Sequence, residues 1–112
     1  MKAITGGVTT PKGFKAAGVH CGLKKTGKPD LALLVSTPRA VAAGVFTRNK
    51  VKAAPLLVDL QHLAKQDGTG AVLINSGNAN ACTGRTGFEN AVESASLVAR
   101  HFNLPVEEVL VA

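Results

Sequence analysis

Ala71-Val72-Leu73-Ile74-Asn75-Ser76-Gly77-Asn78-Ala79-Asn80-Ala81-Cys82-Thr83-Gly84-Arg85-Thr86-Gly87 is the stretch on which the reading of this chain turns. Its first four residues are a short, continuous apolar run, the pattern of a buried strand. Asn75 to Gly87 is then rich in Asn and Gly, which build turns by tolerating left-handed backbone and bonding their own main chain. A strand that feeds a helix through such a segment exposes unpaired N–H groups where ligands bind in sheet proteins. The side chains of Asn75, Asn78 and Asn80 offer both donors and acceptors. Turn building and ligand contact both remain open on these residues alone. The spacing matches neither GxxxxGK[ST] nor GxGxxG, so it is not a phosphate loop of either kind.

Working downstream, Thr86-Gly87-Phe88-Glu89 has capping-box spacing, which predicts a helix starting there. Phe88, Ala91, Val92, Ala95, Val98, Ala99 and Phe102 fall on one helical face. Asn103 and Pro105 are stop signals. Pro105 to Glu108 reads as a short helical turn, and Val109 to Ala112 as the start of another strand. An apolar last strand without a polar tail suggests an incomplete domain; a strand ending at a sheet edge is the alternative.

Working upstream, Asp67 to Gly70 reads as a turn, Ala54 to Val58 as a strand, and Asp59 as the cap of a short helix over Leu60 to Gln66. Val41 to Thr47, Leu31 to Val35 and Phe14 to Leu23 read as strands, with Pro38 closing the second of these and Lys24 to Pro29 forming a turn. Residues 1–112 are therefore expected to form one incomplete α+β domain containing an antiparallel meander.

Composition narrows the function classes. Thirteen Lys and Arg against seven Asp and Glu give a net charge of +6. The cations are spread out, with Lys12, Lys15, Lys24, Lys25 and Lys28 the one loose cluster. Without Tyr or Trp to stack on bases, the charge favours a solvated face or a small anionic ligand over a nucleic-acid groove. Cys21 and Cys82 are too few and too far apart for a disulfide framework and are expected to be reduced and buried. His20, His62 and His101 form no zinc-like cluster, so no metal is expected. No apolar stretch reaches the roughly 18 residues of a membrane span. The start lacks the apolar core of a signal peptide, which leaves the cytoplasm as the default compartment. No GxSxG elbow and no acid/base pair are visible.

Four segments in register resemble one family. They are Gly7-Val8-Thr9-Thr10-Pro11-Lys12-Gly13-Phe14 with Ala16-Ala17-Gly18-Val19; Lys28-Pro29-Asp30-Leu31-Ala32-Leu33; Ala42-Ala43-Gly44-Val45-Phe46-Thr47 with Val51-Lys52-Ala53-Ala54-Pro55; and Asn75-Ser76-Gly77-Asn78-Ala79-Asn80-Ala81-Cys82-Thr83-Gly84. Their order resembles the N-terminal part of the ornithine acetyltransferase, or glutamate N-acetyltransferase (ArgJ), family of arginine biosynthesis. That resemblance implies a layered α/β sandwich of the DmpA/ArgJ, Ntn-like kind. It implies acetyl transfer from N-acetylornithine to glutamate, with acetyl-CoA a donor in some members, and no metal or bound cofactor. The implied precursor cuts itself before a threonine. This Thr becomes the nucleophile of the β chain, and its free amine can serve as the base.

By the same resemblance the oxyanion Thr-Gly pair and the nucleophile lie beyond Ala112. No catalytic residue is expected in this chain, and isolated it is expected to be inactive. Asn75, Gly77, Asn78 and Asn80 are expected near the substrate pocket. The expected partners are the rest of the α chain and the β chain, assembled as an α/β hetero-oligomer, with neither nucleic acid nor membrane. Two other readings stay open: a basic module binding nucleic acid or a small anion, and a truncated product without activity.

Overall fold

The computed structural model describes residues 2–65 and 67–112. Its centre is a four-stranded mixed sheet in the order β1-β2-β3-β4: β1 Phe14–Val19, β2 Leu31–Ala40, β3 Thr69–Asn75 and β4 Val109–Val111. β1, β2 and β3 pair antiparallel, a meander whose third strand is β3 and not the expected Val41 to Thr47, and β4 joins β3 in parallel. A parallel partner needs a crossover. Helix α2, Gly84–Phe102, supplies it and is followed by a 3-10 turn over Val106–Glu108.

Helix α2 and helix α1, Ala54–Leu63, cover one face of the sheet. Alternation along the strands sends Leu33, Val35, Ala71, Leu73, Val109 and Val111 to that face. There they meet Ala54, Val58, Ala91, Ala95, Val98 and Ala99. The small residues on α2 let the helix lie close to α1 and β4. Val58 and Val109 are fully buried, and each such burial stabilises the fold by roughly 1.5–3 kcal/mol. On the opposite face Phe14, Leu34, Val72 and Leu110 line a shallow apolar depression.

Several elements differ from the sequence expectation. Ala54 to Val58 is not a strand, and Asp59 is not a cap: both lie within α1. Pro55 in the first turn is pre-set for a helix, and Ala54, Val58 and His62 are buried at four-residue spacing on one face. The residue expected to end that helix, Gln66, lies outside the described residues. Val41 to Thr47 forms no strand, and Val41 and Val45 point into solvent. Pro38 does not close β2. The strand runs on to Ala40 through a cis Thr37–Pro38 bond, with a register break between Val35 and Ala40. Thr69 and Gly70, expected in a turn, begin β3 and are buried. Strand β1 ends at Val19, four residues short of Leu23.

Helix α2 starts earlier than the capping-box spacing predicts. Its N-cap is Thr83, no side chain caps it, and Glu89 pairs with Arg85 at 2.7 Å. Phe102 is more exposed than its place on the apolar stripe suggests and packs edge-on against His101. Asn103 ends the helix in the left-handed conformation with φ 53°, as a stop signal should.

Candidate functional site

The C-terminal ends of β3 and β4 lie side by side. The N–H of Ala112 donates to Leu73 O and that of Asn75 to Ala112 O, both at 2.9 Å. Beyond them opens a cleft of about 590 Å³. Its apolar wall includes Leu23, Leu31, Pro55, Leu73 and Val111, and its polar wall is Asn75, Asn78, Asn80, Thr83, Thr86, Asn90 and Ser94. Every polar side chain in that lining is neutral. Such a surface suits an uncharged hydrogen-bonding group, because a buried charge would lack a partner there.

Asn75 and Asn80 are tied to each other, with Asn80 Nδ2 donating to Asn75 Oδ1 at 2.7 Å. The backbone of Asn80 accepts the first N–H of α1, from Ala54, at 3.3 Å. The Asn segment thus joins β3 to the start of α1 while its amides face the cleft. Gly77 does not line the cleft. At φ +94° it presents its bare backbone to Lys24, where a Cβ would stand 2.6 Å from Lys24 Cγ.

A second loop, residues 20–30, closes the other side through Leu23. Asp30 organises it. Its carboxylate is buried and accepts the N–H of Cys21 at 2.6 Å, the N–H of Lys24 at 2.8 Å and His20 Nδ1 at 3.1 Å. His20 Nδ1 also lies 3.2 Å from Lys28 O, and since both partners only accept, this nitrogen carries the proton. The Cys21 N–H above all, then that of Lys24, holds the Asp30 carboxyl well below the usual carboxylate range. The Asp30 carbonyl accepts the N–H of Ser76 at 2.8 Å and so joins the two loops.

Cys21 and Cys82 are both free, as expected, but exposed rather than buried, because both sit in these loops and not in the core. A hydrogen bond to Asp30 pushes the Cys21 thiol up, away from the reactive thiolate. His62 is buried and satisfied by Val109 O at 2.8 Å. Among the described residues no group of His, Cys, Asp and Glu could hold a metal ion, and no helix is long and apolar enough to cross a membrane.

A family model described as "ArgJ family" matches residues 15–112. The chain belongs to the ArgJ family. It is 49% identical over 111 residues to the arginine biosynthesis bifunctional protein ArgJ of Synechocystis sp., covering 99% of this chain and 27% of that protein. It is also 49% identical to the chloroplastic ArgJ protein of Zea mays, covering 98% of this chain and 24% of that one. The chain thus spans about a quarter of the length of the curated ArgJ relatives it matches.

Among solved structures it resembles ArgJ of Bacillus halodurans, with a TM-score of 0.91 and 41% identity over 96% of this chain and 56% of that one. It also resembles the ornithine acetyltransferase of Mycobacterium tuberculosis crystallised with ornithine, with a TM-score of 0.81 and 48% identity over 95% and 57%. The α+β architecture is therefore a partial ArgJ fold.

Of the four residues singled out by sequence in this ArgJ chain, the structure brings Asn75, Asn78 and Asn80 to the cleft and leaves Gly77 behind it. Sequence reasoning missed Thr83, Thr86, Asn90 and Ser94. A signal was present: Thr86, Asn90 and Ser94 recur every four residues, a polar stripe beside the apolar one on α2. Thr83 rests its side chain over Gly87, where a Cβ would come within 1.7 Å of Thr83 Oγ1.

Proposed function

We propose that this chain is the N-terminal portion of an arginine-biosynthesis acetyltransferase that moves acetyl from N-acetylornithine to glutamate. The observation that carries the reading is the neutral cleft of an ArgJ chain, with amides and hydroxyls on one side and aliphatic groups on the other. An N-acetyl amino acid presents an uncharged amide and a methyl group to such walls. The ornithine held by the Mycobacterium tuberculosis relative supports the substrate class.

The transfer proceeds in two steps. A threonine Oγ from another part of the precursor, freed by autocatalytic cleavage, attacks the acetyl carbonyl and gives its proton to the free amine beside it. The amide C–N bond breaks, and ornithine leaves with a proton. The glutamate amine then attacks the acyl ester, forms a new amide and returns the threonine hydroxyl. Acetyl-CoA can enter the first step as an alternative donor, with its thiol leaving. Donor and acceptor carry the acetyl chemistry between them, so neither metal nor cofactor is needed. Asn75, Asn78 and Asn80 wall the pocket, and the attacking groups come from the rest of the protein.

The apolar depression around Phe14, Leu34, Val72 and Leu110 is the surface for the rest of the α chain and the β chain to cover, giving an α/β hetero-oligomer in the cytoplasm. The test compares the purified 112-residue chain with the same chain co-expressed with the remaining three-quarters of a full-length relative. Transfer from N-acetylornithine to glutamate is expected only from the reassembled protein. Turnover by the pure chain overturns the reading.

A further inference from the structure

β4 is the edge strand of the sheet, yet its outer edge is not bare. Ala112 directs both its N–H and its C=O to β3. Alternation then turns the backbone groups of Val109 and Val111 the other way, out from the sheet. Two of these outward groups, the ones that a single residue of a neighbouring strand would use, are taken by side chains of α1. Asp59 Oδ1 accepts the N–H of Val111 at 2.9 Å, and His62 Nδ1 lies 2.8 Å from Val109 O. A carbonyl only accepts, so His62 Nδ1 is the protonated nitrogen.

In a parallel sheet one residue of the next strand donates to the C=O of residue i and accepts from the N–H of residue i+2. Asp59 and His62, one helical turn apart, together reproduce that donor–acceptor pair. We propose that Asp59 and His62 are positioning residues that stand in for one residue of a fifth strand and fix the end of β4 where Val111 and Ala112 floor the cleft. Both packing and polarity favour this arrangement. Val58 and Val109 are fully buried where α1 meets β4, and burial leaves no water to satisfy Val109 O.

The consequence for catalysis rests on the proposed acetyl-transfer role of the cleft, whereas the clamp itself does not. Two measurements keep them apart. In the 112-residue chain, amide hydrogen exchange is followed for wild type, D59V and D59N. Loss of the acceptor in D59V is expected to speed exchange at the Val111 N–H about tenfold, with the β3 amides that pair with β2 unchanged. D59N keeps an acceptor oxygen and is expected to restore protection at Val111. Unchanged exchange at Val111 in D59V, or equal acceleration throughout β3, overturns the clamp. Should D59V not fold, H62L and H62N decide. Loss of the donor in H62L is expected to move the Val109 carbonyl carbon resonance upfield, and H62N to hold it; no difference between the two overturns the clamp. In the reassembled transferase, D59V is expected to lower kcat with little change in KM, and D59N to recover it. Faster exchange at Val111 without any loss of kcat upholds the clamp and overturns its consequence for catalysis, whereas a protected Val111 in a reassembled wild type that transfers no acetyl group upholds the clamp and counts against the acetyl-transfer reading of the cleft.

Discussion

In the loop from His20 to Asp30 a buried carboxylate gathers the N–H groups of Cys21 and Lys24 and the ring of His20. In the loop from Asn75 to Thr83, across the same cleft, two neutral amides bond each other and a glycine makes the turn. The first loop is held by one charge, and its side chain turns inward, away from any ligand. The second is held by several weaker links, and its amides stay at the cleft surface. A charge is costly to bury without its partners but strong once they converge, which suits a fixed support. Neutral amides are cheaper to expose and rebond, which suits a surface that meets a ligand. Breaking the first loop should therefore disturb the fold, and breaking the second chiefly the cleft.

The largest effect is expected from Asp30→Ala. It leaves the N–H groups of Cys21 and Lys24 without an acceptor and His20 with Lys28 O alone, so it should give the lowest melting temperature among the variants of the two loops and free Leu23 from the cleft wall. Asp30→Asn should fall between it and wild type, since its NH2 group must face one of the N–H donors. Acid titration sharpens the point. The folded Asp30 carboxyl is held below its unfolded value of 3.8, so its contribution is complete above that pH and is lost as pH falls through and below it. Asp59 has the opposite sign. Burial raises it in the folded state, so its contribution declines as pH rises from 3.8 through its raised value. Denaturant unfolding across this acid range should lose its Asp30-dependent fall in Asp30→Asn. An unaltered acid limb in that variant breaks the comparison.

Next in size is Gly77→Ala. The residue sits at φ +94° with Lys24 against it, so the new methyl is strained by backbone and neighbour alike. A loss of about 1–3 kcal/mol is expected in denaturant unfolding. Asn80→Ala should cost less, about 0.5–1.5 kcal/mol, through the bond to Asn75. In the reassembled protein, however, it should raise the KM for N-acetylornithine more than Gly77→Ala does. The reverse order in KM would mean that the Asn loop supports the cleft without facing it.

How much of this was legible in the sequence follows from where each element gets its stability. β2, β3 and the α2 stripe were readable because two short apolar runs and one helical apolar stripe answer directly to the core, whereas the third strand of the meander was misplaced. α1 was misread because Ala54 to Val58 is apolar and short enough for either state. What decided it was Pro55 in the first turn and the burial of Ala54, Val58 and His62 on one face. The Val41 to Thr47 run has strand composition but no neighbour to pair with, and pairing cannot be read from one segment. The Asn loop was visible as Asn75, Asn78 and Asn80 because its chemistry is local. The Asp30 support was not, since its donors lie six to ten residues away and none is an obvious partner of a carboxylate in sequence. The Asp59 and His62 contacts with β4 span 52 and 47 residues and depend wholly on how α1 packs.

The smallest effect tests the second loop at its far end. Cys82 is exposed and adopts φ 57°, a left-handed conformation that a side chain makes unfavourable. Replacing it with glycine removes that penalty, roughly 1 kcal/mol. The same change gives the unfolded chain more freedom, which works against folding by about 0.4–1 kcal/mol. The two nearly cancel, so Cys82→Gly is expected to shift stability by no more than about 0.5 kcal/mol in the stabilising direction. Since no buried contact is lost, nothing else should move. A clear destabilisation in denaturant unfolding would mean that the thiol holds the loop. The Asn75 to Thr83 segment would then be anchored by a side chain after all, as the Asp30 loop is, and the contrast between the two walls of the cleft would shrink to a difference in strength.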